Sequence, residues 1–493
     1  PRVRRQRQMC IRDSYYRIKI RKEAEIMNKT TVRISEIEIS GFKNTLYGHI
    51  EMPSAIEKNY VSSTADILGI YGQNGSGKTA IVEAMSVIQM LLTGKSLPRE
   101  TSHYITEDRD SCKIRVKFMI QSPSKTAMAD YTVQFQKTPD RELEISNETL
   151  SMSLWNGEKF ESKKNLIDYS LSSKGPVFTP KYRFDELVRS NEENRINLSV
   201  AKKLAQKNMV SFLFGSEGRS IFLSAPETVS EDYAYIIEAL HQYASINLFV
   251  ITNAHSGSIS MNFMLPFAFR LEVGEKVAKG ELPIRLDGPS IITKKQYEIV
   301  DQIIKDMNAV LSAMIPGLSI GIHNFGEQLR ENGAEGFKIE LISKRGDIII
   351  PLKYESEGII KIISVLNVLM CIYNHATMCL IIDELDAGIY EYLLGELLTV
   401  MEKGAKGQLI FTSHNLRALE MLHKKSIVFS TTNPSNRYMR LQNVKNNNNL
   451  RDLYLRSITL GGQREEVYAE TDTVEISRAF RRAGKGAFDG FQK

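Results

Sequence analysis

Cysteine is scarce in this sequence, and no stretch is uniformly apolar over the length of a membrane span. Only four cysteines occur among the 493 residues, and they form neither a C-x-x-C pair nor a disulfide framework. We therefore expect a protein of the reducing cytoplasm. The most apolar stretch, residues 359–382, is interrupted by Lys361, Asn367, Asn374 and His375. It predicts a buried helix followed by a buried strand, with no membrane partner.

The sequence also lacks an excess of either charge once its first residues are set apart. Residues 1–26 carry a net charge of +6, so residues 27–493 sum to zero. A basic tail often suggests nucleic-acid or membrane binding. Here the first fourteen residues, PRVRRQRQMCIRDS, resemble translated sequencing-adapter read-through, and Met27 begins a credible chain. We expect residues 1–26 to be non-native, disordered or without function. DNA binding remains possible, but the charge does not support it.

No heptad pattern is sustained over three or four repeats, which excludes a long coiled coil. Helical periodicity is found instead in residues 196–213, 232–248 and 294–314. We expect residues 161–310 to form a compact, mainly helical insertion. The role of this insertion does not follow from its sequence.

The clearest functional pattern lies in residues 65–92. It predicts a buried strand over residues 67–71, a glycine-rich turn, and a helix that begins at Lys78. The turn fills every position of the phosphate-loop motif G-x-x-x-x-G-K-[ST]. The predicted nucleotide-binding residues are Gly72, Gln73, Asn74, Gly75, Ser76, Gly77, Lys78, Thr79 and Ala80.

The chemistry of triphosphate binding explains these residue types. Glycines free the backbone to turn its N–H groups toward the β-phosphate, and the helix N-terminus adds a partial positive charge. We expect Lys78 to reach the β- and γ-phosphates and the Thr79 hydroxyl to bind Mg²⁺. The motif therefore predicts a site for a nucleoside triphosphate and Mg²⁺.

A second pattern places two carboxylates directly after an apolar strand. Residues 379–384 have the sequence CLIIDE. Doubly wound sheets bind their ligands at the carboxyl ends of such strands. We expect Asp383 to hold Mg²⁺ through water and Glu384 to orient or deprotonate the attacking water.

The order of the motifs along the chain resembles that of ABC-type ATPases. Ser356 and Gly358 form an S-x-G sequence at the start of a predicted helix, where a hydroxyl and free N–H groups can bind phosphate. In ABC ATPases this signature binds the γ-phosphate held by the other subunit. Asp386 lies in a segment that resembles the D-loop, which contacts the partner subunit. His414 follows the strand over residues 408–412 and resembles the switch histidine, which contacts the γ-phosphate.

Two other positions remain open or are set aside. Gln121, at a predicted strand end, is a candidate for the glutamine that senses Mg²⁺, and a surface-loop glutamine is an equal alternative. Residues 460–464, LGGQR, are more similar to the transporter signature LSGGQ than Ser356–Gly358 is. They follow the carboxylate motif, whereas the signature helix of ABC proteins precedes it.

The resemblance implies an α/β fold: a P-loop ABC-type ATPase head, with a mixed central sheet flanked by helices and an antiparallel β lobe. The segment Gly41-Phe42-Lys43-Asn44, ahead of the phosphate loop, also resembles the start of RecF/SMC-like ATPases. We expect an N-terminal ATPase lobe over residues 27–160, a C-terminal lobe over 311–445, and a helical segment over 446–493.

Within that class, the chain resembles the RecF/SMC/OLD-like branch, and most of all the stand-alone ATPases of phage-defence and abortive-infection systems (PARIS AriA-like). This implies an ATP-dependent sensor or scaffold that hydrolyses ATP, holds a separately encoded effector nuclease, and assembles as a homodimer or higher homo-oligomer around two ATP·Mg²⁺. No C-terminal TOPRIM pattern of carboxylates is found, so nuclease chemistry is not assigned. The alternatives are a RecF-like DNA-repair ATPase and a nucleotide-gated scaffold with negligible turnover.

Overall fold

The computed structural model describes residues 30–58, 64–140, 142–173, 175–273, 276–329, 333, 335–442, 449–460 and 462–489. The basic segment 1–26, expected to be functionless, lies outside them. The strands are β1 (Thr31–Phe42), β2 (Thr45–Glu51), β3 (Asp66–Tyr71), β4 (Ser111–Gln121), β5 (Thr126–Lys137), β6 (Leu143–Leu154), β7 (Lys164–Ser170), β8 (Phe178–Thr179), β9 (Leu248–Ile251), β10 (Met264–Val273), β11 (Lys276–Arg285), β12 (Ser290–Ile292), β13 (Leu318–Leu329), β14 (Glu335–Arg345), β15 (Ile348–Pro351), β16 (Cys379–Ile382), β17 (Gln408–Ser413), β18 (Ile427–Ser430) and β19 (Tyr438–Met439).

The helices connect and cover these strands. They are α1 (Pro53–Ile56), α2 (Lys78–Leu92), α3 (Lys181–Ser190), α4 (Asn194–Asn208), α5 (Ser216–Ser224), α6 (Glu227–Gln242), α7 (Asn253–Ser260), α8 (Lys294–Met314), α9 (Glu357–Asn374), α10 (Glu391–Gly404), α11 (Arg417–Met421), α12 (Leu450–Leu460) and α13 (Thr473–Asp489).

The central sheet has the strand order β19-β18-β3-β17-β16-β9. Its strands run parallel except β19, which pairs antiparallel with β18. Every residue of β3, β16, β17 and β18 is buried. Parallel strands covered on both faces are expected to be apolar throughout, which explains the runs recognised in the sequence. The predicted α/β fold is confirmed.

The two faces of this sheet are covered by different helices. Because side chains alternate along a strand, Leu68 and Ile70 face the cluster that contains α2. Ile67 and Tyr71 face the opposite cluster, which contains the apolar residues of α9, α10 and α11. The phosphate-loop helix α2 and the predicted signature helix α9 therefore lie on opposite faces of the sheet.

A second sheet, with strand order β2-β1-β4-β5-β6-β7-β8, is antiparallel throughout. It contains the predicted N-terminal hairpin and the predicted antiparallel lobe. A buried amide joins it to the central sheet: Gln408 accepts from the Ile34 N–H at 2.6 Å and donates to the Ile34 carbonyl at 2.7 Å. This fixes β1 beside β17 and so fixes the lobe beside the phosphate loop.

Residues 161–310 were expected to form one compact, mainly helical insertion. Instead, their helices and strands pack against several different parts of the fold. Helices α3–α6 pack on the antiparallel lobe, and β9 forms the edge of the central sheet beside β16. The hairpin β10–β11 and helix α8 pack with β13, β14 and the start of α9. Periodicity indicated α4, α6 and α8 but not α3, α5 and α7. It also carries no information about which sheet a four-residue strand joins.

Helix α9 is long and apolar enough by composition to span a membrane, and 67% of its residues are buried inside the protein. Its apolar side chains belong to two hydrophobic clusters. It is therefore a core helix, as the sequence predicted. Helices α12 and α13 lie within residues 446–493, which were expected to form a helical segment.

Candidate nucleotide-binding site

The phosphate loop connects the carboxyl end of β3 to the first turn of α2. Gly77, the N-cap of α2, has φ 90°, in the left-handed region that favours glycine. A Cβ at Gly72 would lie 1.9 Å from Oγ of Ser430. Ser430, at the end of β18, is held in turn by the Tyr71 carbonyl at 3.0 Å and by the Ser76 hydroxyl. The loop is therefore packed tightly against the neighbouring strand.

Lys78 is folded over its own loop. Its Nζ donates to the carbonyl oxygens of Gly72 and Gln73 at 2.8 and 2.9 Å. Burial lowers the pKa of Lys78 to about 8, and the nearby carboxylates of Asp383 and Glu384 oppose that shift. The ammonium group thus lies inside the curve of the loop, where the motif places a phosphate.

Side chains distant in sequence hold the loop from outside. The Asn44 amide donates to the Gly75 carbonyl, and the Tyr438 hydroxyl donates to the Gly77 carbonyl at 2.6 Å. The Ala469 N–H donates to the Gln73 side chain at 2.8 Å, so the C-terminal segment also contacts the loop. The sequence alone did not indicate that the residues making these contacts belong to the site. Only Asn44, within the recognised Gly41–Asn44 segment, gave a usable signal.

Asp383 follows β16 and is 1% exposed. Its Oδ1 accepts a hydrogen bond from the Thr412 hydroxyl at 2.5 Å, and its Oδ2 has no hydrogen-bond partner within the described chain. A buried carboxylate oxygen left without a partner is costly. Mg²⁺ prefers oxygen ligands and commonly keeps several waters. The free oxygen of Asp383 and the Thr79 hydroxyl therefore fit a hydrated Mg²⁺.

Glu384 has an unusual backbone conformation. Its φ is 49°, which is rare for a residue other than glycine. The Glu384 N–H donates to the Thr412 hydroxyl at 2.7 Å, and the Glu384 carbonyl accepts from Nζ of Lys361. Strained backbone of this kind clusters at functional sites. Both peptide groups of this candidate base are held by side chains from other elements.

Asp386 and His414 are brought together at the ends of neighbouring strands. Oδ2 of Asp386 accepts from the backbone N–H groups of His414 and Asn415, at 2.9 and 2.8 Å. Burial lowers the pKa of His414, and the Lys78 cation lowers it further. The imidazole is therefore neutral at pH 7, and a neutral ring both donates and accepts hydrogen bonds.

Ser356 is the N-cap of α9, and its hydroxyl accepts from the Ile359 N–H at 3.4 Å. A Cβ at Gly358 would lie 1.9 Å from the Gly388 carbonyl, so the first turn of α9 lies directly against the segment after Asp386. Ser356 itself is exposed. It begins a helix on the face opposite α2, so the structure does not bring it onto the same side as the phosphate loop.

Gln121 does not lie at the site. It pairs with Thr31 at the start of β1, whereas the other end of β1 leads to Asn44 and the phosphate loop. The intervening strand of about ten residues separates Gln121 from the loop by roughly 30 Å. The proposed magnesium role of Gln121 is therefore corrected: the strand end was identified, but the direction of the strand was not.

The strand end next to Asp383 belongs to β9. The Asp383 N–H donates to the Ile251 carbonyl at 2.9 Å, and Thr252 and Asn253 follow. Because the carboxyl ends of parallel strands meet at one edge of the sheet, these two residues take the place expected for Gln121. No local sequence pattern shows which sheet this short strand joins.

Comparison with known proteins gives one family match: the model described as an AAA domain matches residues 36–251. No curated protein matches the chain. Among solved structures, the SMC head domain from Thermotoga maritima has 13% sequence identity to this chain and a TM-score of 0.35. The match covers 83% of this chain and 99% of the Thermotoga chain. The recombination mediator RecF bound to ATP is 13% identical, covers 78% and 94%, and has a TM-score of 0.33.

A third solved structure is the SMC head domain of Pyrococcus furiosus with an extended coiled coil, bound to the C-terminal domain of ScpA. It is 13% identical, covers 83% of this chain and 96% of that one, and has a TM-score of 0.37. The match to the AAA domain family, over residues 36–251, includes the phosphate loop between β3 and α2.

Proposed function

We propose that this protein binds ATP with Mg²⁺ and hydrolyses it as an ABC-type ATPase. The observation that carries the proposal is the unpartnered, buried Oδ2 of Asp383 at the same sheet edge as Lys78 and Glu384. A cation site, a phosphate site and a candidate base then meet where α/β sheets bind their ligands.

The chain's own residues divide the work of phosphoryl transfer. The phosphate-loop N–H groups and Lys78 bind and orient the phosphates, while Thr79 and Asp383 hold Mg²⁺. When bound, Mg²⁺ neutralises charge on the phosphate oxygens. Glu384 orients the attacking water and accepts its proton. His414, neutral at pH 7, donates a hydrogen bond to the γ-phosphate without adding charge to the site.

We further propose that two copies of the chain complete each site. Ser356 is exposed at the start of a helix on the face opposite α2, which supports its use by a partner's nucleotide. The neighbour's serine would stabilise charge at the γ-phosphate.

At the level of biology, we propose a cytoplasmic, nucleotide-driven sensor or scaffold in antiphage defence that holds a separate effector nuclease. The motif resemblance supports this, and the near-zero charge of residues 27–493 favours it over a DNA-repair clamp. DNA affinity that falls steeply with salt would favour the RecF-like alternative instead.

The proposal is tested by phosphate release and ATP binding in three proteins. The wild type should release phosphate, Glu384→Gln should bind ATP but lose roughly 10²–10⁴-fold in turnover, and Lys78→Ala should lose affinity for ATP. ATP binding without turnover in the wild type would favour a nucleotide-gated scaffold. Normal turnover by Glu384→Gln would remove Glu384 from its role as the base.

A further inference from the structure

A lysine is buried in the helix that begins at the signature serine. Lys361 is 4% exposed and lies between the buried residues Ile360 and Ile362 of α9. Burying an ammonium group is costly unless it is paired or hydrogen-bonded. Its Nζ donates to the backbone carbonyl of Glu384, on the adjoining segment. The Lys361 side chain therefore acts on the backbone of the candidate base rather than on solvent.

Three hydrogen bonds hold the backbone of Glu384. Its N–H donates to the Thr412 hydroxyl at 2.7 Å, and its carbonyl accepts from Nζ of Lys361 and from the Ala387 N–H, the latter at 3.0 Å. A non-glycine residue at φ 49° is strained and persists only where surrounding groups determine it. Without Lys361, the Glu384 carbonyl keeps only the local Ala387 N–H, so we expect the peptide to relax and the carboxylate to change direction.

The start of α9 is also clamped to the same segment. Gly358 lies against the Gly388 carbonyl so closely that no side chain fits. Ser356 and Lys361 are five residues apart on the helix, which is about 7.5 Å along its axis. A shift of the first turn of α9 therefore moves Lys361 Nζ relative to the Glu384 carbonyl. The helix connects the exposed serine to the candidate base.

We propose that Lys361 is a positioning residue that couples occupancy of the signature Ser356 to the placement of the Glu384 carboxylate. This inference rests on the proposed ATPase function. Nζ of Lys361 donates to the Glu384 backbone carbonyl, and it acts on the carboxylate through this backbone. A displacement of α9, on which a neighbouring subunit's nucleotide would act at Ser356, would therefore move the donor that directs the base.

The test is a double-mutant cycle on steady-state phosphate release. Lys361→Met should lower kcat by roughly tenfold or more, a part of the full effect of a general base, with KM for ATP unchanged. In the Glu384→Gln background the same substitution should change kcat less than about twofold, because the group that Lys361 positions is already lost. Lys361→Arg keeps a donor and should recover part of kcat.

A matched control separates positioning from folding. Asn367 is another buried polar residue of α9, and its side chain accepts from the Arg270 N–H at 2.9 Å, away from Glu384. Asn367→Leu should lower the melting temperature while leaving kcat within about twofold. If Lys361→Met is too unstable to assay, Lys361→Gln, which keeps a shorter donor, takes its place in the cycle.

The outcomes are distinct. Suppose that the wild type is active and that Lys361→Met lowers kcat by the same factor in the wild-type and Glu384→Gln backgrounds. This result overturns the positioning role and leaves the ATPase proposal standing. A Lys361→Met protein with normal kcat and only a lower melting temperature also overturns it. A wild type without phosphate release contradicts the proposed hydrolysis itself, and the positioning role falls with it.

Discussion

The hydroxyl of Thr412 lies 2.5 Å from Oδ1 of Asp383 and donates to it. The same hydroxyl accepts the Glu384 N–H at 2.7 Å. One side chain at the end of β17 therefore fixes both residues that follow β16. This relationship aligns the proposed metal-binding carboxylate with the proposed base and leaves Oδ2 of Asp383 free for the cation.

Thr412→Val should impair turnover more than stability. Valine has nearly the same shape but satisfies neither Asp383 nor the Glu384 N–H, and each buried unpaired group costs about 1–3 kcal/mol. We expect a fall in kcat of at least about tenfold, measured by phosphate release. Thr412→Ser, which retains the hydroxyl, is the control. Wild-type kcat in Thr412→Val would show that this hydroxyl does not organise the site.

The dependence of phosphate release on Mg²⁺ concentration should show whether the end of β9 or the end of β4 lies near the bound cation. Asn253→Leu, after β9, should raise the Mg²⁺ concentration needed for half-maximal phosphate release several-fold, because it removes an amide oxygen two residues beyond Ile251, whose carbonyl accepts from the Asp383 N–H. Gln121→Leu should leave that concentration unchanged, since Gln121 lies at the far end of β4. The opposite pattern would contradict the strand placement described above.

The phosphate loop and the Asp383-Glu384 motif could be predicted because their chemistry is local. A strand, a turn and a helix start are encoded by adjacent residues, and buried parallel strands are apolar throughout. The S-x-G helix start was also local, and Ser356 is indeed the N-cap of α9. These features can be recognised in the sequence without knowing which strands pair.

The remaining contacts of the site join residues far apart in sequence, and no local pattern encodes them. Gln121 remained a candidate for the site, beside the alternative of a surface-loop glutamine, because the direction of its strand relative to β1 does not follow from the sequence. The Lys361–Glu384 contact depends on α9 packing beside β16, and the Tyr438–Gly77 contact depends on where β19 adds to the sheet. Strand order and helix packing are set by the whole hydrophobic core, which periodicity alone does not determine.

A histidine in the antiparallel lobe gives a pH-dependent test of that lobe's structure. His49 of β2 interacts with Glu36 of β1 at 3.4 Å. The hydrogen bond to Glu36 raises the pKa of His49 above 6.5. The same bond, with Lys117, lowers the pKa of Glu36 to about 2. The folded state therefore favours protonated His49 and ionised Glu36.

The sign of the pH effect follows from the raised pKa of His49. Its stabilisation is fully present below the unfolded pKa of 6.5 and is lost as pH rises through the higher folded value. His49→Gln should therefore melt below the wild type near about pH 5.5, with the difference shrinking above about pH 8. Melting curves at both pH values check this. Glu36→Gln should show the same pH-dependent loss and, because it also breaks the pair with Lys117, a further loss that persists at the higher pH. A difference that grows with pH would refute the pairing.

The central claim is that each ATP site is built from two subunits, with Lys78 from one and Ser356 from the other. Lys78→Ala and Ser356→Arg should each be inactive alone. Mixed in equal amounts and allowed to exchange, they should form heterodimers with one intact and one doubly damaged site. Random pairing makes half of the dimers mixed, so independent sites should recover about a quarter of wild-type phosphate release.

The most direct measurement is therefore phosphate release from this mixture, together with the molar mass by light scattering, with ATP present. Strictly coupled sites would give no recovery, yet Glu384→Gln would still dimerise with ATP because it binds without turnover. We predict that Ser356→Arg alone is inactive. We also predict either that the mixture recovers phosphate release or that Glu384→Gln dimerises when ATP is added. Full activity of Ser356→Arg, in an enzyme that stays monomeric with ATP even as Glu384→Gln, would contradict the shared site.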